Sequence, residues 1–446
     1  MTKDELLDLL EKKDYIEIKK RLPTMNEVNI AEILNDLDLS IAVLVFRMLP
    51  KDMAVEVFAR FDKDKKEEII DSITDIELAG IVEELFFDDM VDMIEEMPAN
   101  IVNKILHHSS PDERRLINMF LRYPEESAGS IMTIEYVELR KEMTVGESLK
   151  RIKEIGLTKE TVYTCYVTNN NRVLEGIVSL RKLVTSDEDV IIKDIMDEDV
   201  VCVNTHDDRE VVADIFLKYG FIAIPVVDNE HRLTGIITVD DIMNVMESEA
   251  TEDFQKMAAM APSDDAYLDS SVFSLAKQRF TWLLILMVGA TLTSGIIGRY
   301  EDVLSKMVVL TAFIPMLMDT GGNSGSQSST LVIRGIATGD IEWKDKWKVL
   351  WKEFRISFIV GLGLGVVNFA KNMLVDKVGL VVSITVSVTL WATVMMSKML
   401  GGLLPLLAKK VNLDPAIMAG PLITTIVDSL ALIVYFTIAT LFLNIA

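Results

Sequence analysis

Asp319-Thr-Gly-Gly-Asn323-Ser-Gly-Ser-Gln327-Ser-Ser-Thr330 lies in the middle of an apolar stretch, residues 307–336, that is long enough to cross a bilayer. Lipid offers no partners to exposed backbone, so a glycine-rich polar run at that depth must be packed inside protein or line water. Close helix packing through small residues accounts for the glycines and serines, but not for Asp319, Asn323 and Gln327. Polar side chains inside a membrane point instead to a pore or to the support of one. Asn323 and Gln327 are therefore candidate pore residues.

From Phe280 onward there are five apolar stretches, near 280–298, 307–336, 356–376, 379–407 and 416–445, and only the second and fifth hold acids well inside. Buried helices of a soluble protein would need an unusually large core, so an all-α domain of five transmembrane helices is expected. The fifth stretch contains Thr424-Thr425-Ile-Val-Asp428-Ser429. A lone carboxylate there is costly and marks a functional site, with Thr424 and Thr425 as candidate pore-lining or pore-supporting residues. The nearest basic pair along the chain, Lys409-Lys410, is more than three turns away. An ion pair within that helix is therefore not expected, although Lys398 of the fourth stretch could approach it.

Loop charge predicts the orientation. With the N-terminus in the cytosol, the inner flanks hold ten Lys and Arg and the outer flanks four, as retention of positive loops on the cytosolic side requires. This places the C-terminus outside, in a multi-pass protein of the cytoplasmic membrane. Trp343, Trp347 and Trp351 recur at i, i+4 and i+8 among lysines, which predicts one interfacial helical face, a structural anchor.

The two parts of the chain differ sharply in charge. Residues 271–446 carry 10 acids and 15 bases, leaving residues 1–270 with 59 of the 69 acids, 30 bases and a net charge of −29. Such an acidic part argues against nucleic acid and is compatible with bound cations or simply with solubility. The start, Met-Thr-Lys-Asp-Glu-Leu-Leu-Asp, lacks the basic flank and apolar run of a signal peptide. Cys165 and Cys202 have no metal-ligand spacing, and the four His residues form no HExxH.

Residues 49–108 repeat with a period near 12, from Leu49-Pro-Lys-Asp-Met to Phe86-Phe-Asp88-Asp89-Met. Each unit is one short amphipathic helix, too small to bury a face alone, and stacking gives a helical solenoid. Residues 131–245 hold a longer duplication, in which Ile131-Met132 recurs as Ile195-Met196 and Leu174-Glu-Gly176-Ile-Val-Ser179 as Leu233-Thr-Gly235-Ile-Ile-Thr238. Each copy reads strand, helix, strand, strand, helix, and the pair resembles a CBS tandem, an α/β module that often binds adenosyl groups. In that family an acid three residues after the Ser/Thr often holds the ribose. The second copy supplies Asp241 after Thr238, whereas the first supplies Lys182 after Ser179.

Between Asp240 and Asp253, six carboxylates fall within fourteen residues of a probable helix that leads toward the first span. Their repulsion costs stability unless cations neutralise them. Mg2+ suits that task because it prefers hard oxygens and keeps water between itself and carboxylates.

The order of these parts resembles the MgtE magnesium channels across essentially the whole chain. The specific matches are Leu121-Arg-Tyr-Pro-Glu-Glu-Ser-Ala-Gly-Ser-Ile-Met-Thr, Thr320-Gly-Gly-Asn-Ser-Gly-Ser-Gln, Leu413-Asp414-Pro-Ala and Gly420-Pro421-Leu-Ile-Thr-Thr-Ile-Val-Asp428. The resemblance implies a homodimer with its pore on the two-fold axis and no enzymatic activity. The domains would be an acidic helical N-domain (1–126), a CBS pair (127–249), a connecting helix that plugs the pore (250–275) and a transmembrane domain (276–446). It puts a pore acid on Asp428 and a mouth acid on Asp414. Mg2+-sensing acids would fall at or close to Glu56, Asp88, Asp92, Glu210, Asp241, Glu249, Glu252 and Asp253, with Asn244 standing where a further sensor acid is expected. ATP, if bound, would lie near Thr238 and Asp241.

The sequence leaves three rival readings. The first is a CBS-regulated channel for another ion such as Co2+, the second a membrane-anchored cation or nucleotide sensor that transports nothing. The third, an intramembrane enzyme, lacks a nucleophile and base pair.

Overall fold

The computed structural model describes residues 1–263, 267–268 and 270–443, which divide into two compact units, Met1–Met246 and Glu247–Ala446. The first unit opens with ten short helices: α1 (Lys3–Glu11), α2 (Tyr15–Arg21), α3 (Glu27–Asn35), α4 (Leu39–Phe46), α5 (Lys51–Ala59), α6 (Lys63–Ser72), α7 (Asp75–Val82), α8 (Phe87–Glu96), α9 (Ala99–His108) and α10 (Pro111–Phe120). Local chemistry sets their starts. Thr2 with Glu5 and Thr74 with Glu77 form reciprocal capping boxes, and Pro50 and Pro98 stand as N-caps of α5 and α9. Helices pack two apart, α3 on α5, α4 on α6, α5 on α7 and α7 on α9. This is the solenoid expected from the repeat, begun earlier in the chain than residue 49.

The duplication folds as read. The first copy comprises β1 (Val137–Leu139), α11 (Val145–Ile155), β2 (Thr164–Thr168), β3 (Leu174–Ser179) and α12 (Leu180–Thr185), and after the short α13 (Ile192–Ile195) the second repeats it as β4 (Val203–Asn204), α14 (Arg209–Tyr219), β5 (Ala223–Val227), β6 (Leu233–Thr238) and α15 (Val239–Met257). In each sheet the first strand runs parallel to the second and the second antiparallel to the third. The first copy has its own core around Val137, Cys165 and Val178. The second instead shares one with the solenoid, where Phe216, Ile237 and Ile242 join Phe87 and Met90. No break in the core therefore falls at residue 126.

The second unit contains α16 (Val272–Arg299), α17 (Glu301–Lys306), α18 (Ile314–Ala337), α19 (Lys346–Leu374), α20 (Leu380–Lys410) and α21 (Gly420–Leu443). Among the described residues four helical segments, Val272–Arg299, Trp343–Leu374, Leu380–Lys410 and Gly420–Leu443, are long and apolar enough to cross a membrane. The second expected span, α18, is long but polar, because it carries the 319–330 run. That run is helical throughout, and its small residues face inward: Gly321, Gly325, Ser328 and Ser329 are buried where α18 packs on α20 and α21. Gly401 of α20 lies so close to the Gly325 carbonyl that a Cβ there could not fit.

Three boundaries differ from expectation. The helix that opens the expected connecting segment begins at Val239, directly after β6, and ends at Met257, and residues 264–266 and 269 of the expected 250–275 segment lie outside the described residues. Spans one and three begin at Val272 and Lys346 rather than at 280 and 356. Trp343 sits in a 3-10 turn ahead of α19, packed beside Val332, Ile336, Val349 and Leu406, while Trp347 and Trp351 remain exposed. The three rings therefore do not share one face.

Candidate cation pathway and regulatory acids

On α18, Asp319, Asn323 and Gln327 follow at four-residue spacing and are all exposed, opposite the packed glycine face. Lipid cannot cover such a stripe at low cost. Asp319 and Asn323 line a cavity of about 430 Å3 together with Thr424 and Asp428 of α21 and the apolar Ile314, Pro315 and Met318. Two carboxylates, an amide and a hydroxyl thus face one space with room for several waters. Among the described residues no Lys, Arg or His lies within ion-pair distance of either carboxylate. Thr424 donates to the Pro421 carbonyl at 2.9 Å. Thr425, one residue and about 100° further round the helix, is turned toward Gly289 of α16 and away from the cavity. Its position against α16 is that of a supporting residue and not of a lining one.

Lys398 does not approach Asp428. It is buried and donates to Gln327 Oε1 at 3.2 Å. The membrane unit also buries Glu353 of α19, which accepts from Ser328 Oγ at 2.6 Å. Glu353 fell outside the expected third span because that span was placed too late in the chain.

At the end of α20 and the start of α21, Asp414 caps the turn Pro415–Met418 by accepting from Ala416 N. Its other oxygen pairs with Lys256 Nζ at 2.6 Å, and Lys256 also pairs with Glu252 one turn back on α15. Burial works against the Lys256 charge, but Asp414 and Glu252 outweigh it and hold the ammonium above its ordinary range. Asp253 is pushed up by burial, then by Asp414, Glu249 and Glu252, against the pull of Lys256. The last turn of α15 meets Gly420 so closely that a Cβ at Gly420 would stand 2.6 Å from the Met257 carbonyl, and Gly420 has φ +42°. Only glycine takes both that backbone and that approach at little cost.

In the first unit a second group of acids faces inward between the solenoid and the second copy. Asp88 is raised to about 9 by burial and by Asp241, Asp89 and Glu160. Glu160 is raised to about 7 by burial and by Asp240, Asp241 and Asp89. Asp241 reaches about 6 through burial, Asp240 and Asp89, although Thr238 Oγ1 donates to it at 2.7 Å. Asp89 is raised by burial, against Lys66 and Arg60 and with Glu56 and Asp240. Of the other expected sensor residues, Glu56 pairs with Arg60 at 2.9 Å, Asp92 is exposed on α8, Glu210 and Asn244 are exposed on α14 and α15, and Glu249 and Glu252 are half-buried. Asp89, Glu160 and Asp240 were missed as members of this group. Among the described residues no three Asp, Glu, His or Cys side chains close on one dry metal position. Looser pairs with water between suit Mg2+ and would not suit zinc.

A helical membrane unit with an acid-lined cavity, preceded by a helical solenoid and a CBS pair, defines the class of CBS-bearing divalent cation transporters. Family models agree in order: the MgtE intracellular N domain over residues 25–126, a CBS domain over 192–248 and a divalent cation transporter over 314–438. The chain is 34% identical to the magnesium transporter MgtE of Thermus thermophilus over 90% of its own length and 89% of that protein's. It is 31% identical to the Bacillus subtilis MgtE over 80% and 78% of the two lengths. The chain belongs to the MgtE family of magnesium transporters and is an integral membrane protein. A crystal structure of the cytosolic domain of the Mg2+ channel MgtE in complex with ATP covers 55% of this chain and 99% of that one, with 32% identity and a TM-score of 0.52. The soluble part of a magnesium transporter aligns similarly, at 29% identity, a TM-score of 0.52 and coverage of 56% of this chain and 98% of that one.

Proposed function

We propose that this protein conducts Mg2+ into the cytosol along the exposed face of α18 and past Asp428, and that Mg2+ on its cytosolic acids closes the path. The observation that carries the reading is the cavity in which Asp319, Asn323, Thr424 and Asp428 meet. Mg2+ sheds its water reluctantly, so a few carboxylate, amide and hydroxyl oxygens with water between them hold it while leaving exit possible. The exposed polar stripe on α18 supports a homodimer, because a second copy related by a two-fold axis would cover it and bring a second Asp428 to the same site. Two such carboxylates balance one divalent ion. The flanking charges support a cytosolic N-terminus and an outer C-terminus in the cytoplasmic membrane.

Closure follows from the two acid groups. The crowded carboxylates around Asp88 and Asp241, with Glu56, Asp92 and Glu210 as outlying contributors, favour a compact arrangement only when cations neutralise them. Glu249, Glu252 and Asp253 on the last turns of α15 and Asp414 form the second group. There Lys256 supplies one positive charge, and Mg2+ would supply the remainder. A ligand that binds the compact state better shifts the population toward it. ATP would be accommodated at the second copy near Thr238 and Asp241, since Lys182 cannot accept a ribose hydrogen bond.

Mg2+ entry into liposomes holding only this protein tests the central claim. We expect flux that falls as lumenal Mg2+ rises on the face bearing the N-terminus. Entry of Co2+ without Mg2+ would transfer the reading to another ion, and the absence of any cation flux would leave a sensor.

A further inference from the structure

The turn ahead of α19 and the end of α20 meet at one ring. Lys346 Nζ lies 4.2 Å from the centroid of Trp343, and Lys410 Nζ lies 4.6 Å from the same centroid. The two ammoniums, from different helices, are therefore at most 8.8 Å apart, the sum of those distances. Each gains from the indole face, and two cations held on one ring repel modestly in water and more where lipid excludes it, so an anion between them is favoured. The acids of the turn are already used, Glu342 by Lys344 at 2.8 Å and Asp345 by Lys348 at 2.7 Å. Among the described residues no carboxylate stands within 4.0 Å of either Lys346 or Lys410. Trp343 is held in place by the small apolar core of Val332, Ile336, Val349 and Leu406, so the platform is preformed.

The location decides which anion. Lys346 begins, and Lys410 ends, helices long and apolar enough to cross the membrane, and within the first two turns of α19 Trp347 and Trp351 are 72% and 59% exposed. Exposed indoles settle at headgroup depth, and basic residues beside them draw anionic lipid. We propose that Trp343, Lys346 and Lys410 form a binding site for the phosphodiester of an anionic phospholipid, with the acyl chains running along the apolar surface of α19.

Native mass spectrometry of the full-length protein in detergent, titrated with phosphatidylglycerol, phosphatidylcholine or inorganic phosphate, tests this. We expect phosphatidylglycerol to be retained over phosphatidylcholine and not to be displaced by millimolar phosphate. The K346Q/K410Q variant should lose about 30-fold in phosphatidylglycerol affinity, at roughly fivefold per basic residue. K344Q, which removes a lysine already paired to Glu342, should lose little, and K346R/K410R should retain binding and so exclude misfolding as the cause. Equal retention of both lipids, unchanged binding by K346Q/K410Q, failure of the arginine pair to bind, or displacement by inorganic phosphate would each overturn the assignment.

Discussion

The two units handle carboxylates in opposite ways. In the first unit, Asp88, Asp89, Glu160, Asp240 and Asp241 crowd one another, and Asp88, Glu160 and Asp241 are raised to about 9, 7 and 6. In the membrane unit, Asp319 and Asp428 share a cavity without a basic partner among the described residues. Crowding stores unfavourable energy that a cation can release, which suits a switch. A pair of acids facing a cavity that holds several waters, with no described lysine or arginine to compete, stays available to a passing ion, which suits a pathway. Fixed cations stand elsewhere: Lys398 on Gln327, and Lys256 on Asp414.

The largest effect should come from the sparse site. Asp428→Ala should abolish selective Mg2+ conduction while leaving the fold largely intact, since Asp428 is half-buried and its removal leaves no charged partner stranded. Asp319→Ala, on the more exposed side of the cavity, should weaken selectivity less. Normal Mg2+ selectivity in a folded Asp428→Ala protein, measured by liposome flux against a K+ background, would remove the pathway from this cavity.

The crowded sites should behave differently, altering control and sparing conduction. Neutralising Asp88, Asp92, Glu249 and Asp253 together should leave the open path intact but blunt its inhibition by cytosolic Mg2+. Several modest differences in affinity add, and about 5.5 kcal/mol in total converts a mostly open population to a mostly closed one. Patch recordings in which the quadruple variant still closes at the wild-type Mg2+ concentration would reduce these acids to a solvated face.

Protons should imitate part of what Mg2+ does in the first unit. Asp88, Asp241 and Glu160 have compact-state values raised above their ordinary ones, so the compact arrangement holds more protons than an opened one. Its stability is then fullest below the ordinary carboxylate values near 4 and falls as pH rises through about 6, 7 and 9. Lys66 and Arg60 beside Asp89 temper the effect without reversing its sign. In full-length protein without Mg2+, the α8 region should resist proteolysis better at pH 6 than at pH 8.5, relative to a reference substrate, and millimolar Mg2+ should shrink the difference. Equal protection at both pH values would contradict the crowding.

Much of this was readable in the sequence because it rests on periodicity and on the cost of polar groups in lipid. The period near 12 gives the solenoid, the duplicated Leu-x-Gly strand gives the two sheets, and Asp428 stands out by its isolation. What escaped depends on rotation and on helix starts. Thr424 and Thr425 are equivalent as sequence, yet one faces the cavity and the other Gly289. Glu353 lies just ahead of the expected stretch 356–376, whereas α19 already begins at Lys346. Lys256 carried a usable signal, its i+4 spacing from Glu252, but its pairing with Asp414 joins positions far apart in the chain. Glu160 joined the acid group through the fold alone.

The smallest effect concerns nucleotide and divides the two CBS copies instead of the two units. In the second copy, Thr238 Oγ1 donates to Asp241 Oδ2 at 2.7 Å, which orients the carboxylate and leaves its other oxygen to accept from a ribose hydroxyl. In the first copy, Ser179 Oγ instead accepts from the backbone N of Lys182, whose own side chain has only donors. Adenine nucleotide should therefore sit on the second-copy side. Asp241→Ala should weaken ATP binding by about fivefold, the value of one ordinary hydrogen bond of about 1 kcal/mol, while Asp241→Asn, which keeps an acceptor, should weaken it less. Because Asp241 also belongs to the crowded acids, the comparison must be made by calorimetry at fixed low Mg2+, where the switch is not engaged. Tight ATP binding that survives Asp241→Ala unchanged would place the nucleotide elsewhere in the cleft, and Lys182 would then be the natural partner for its phosphates.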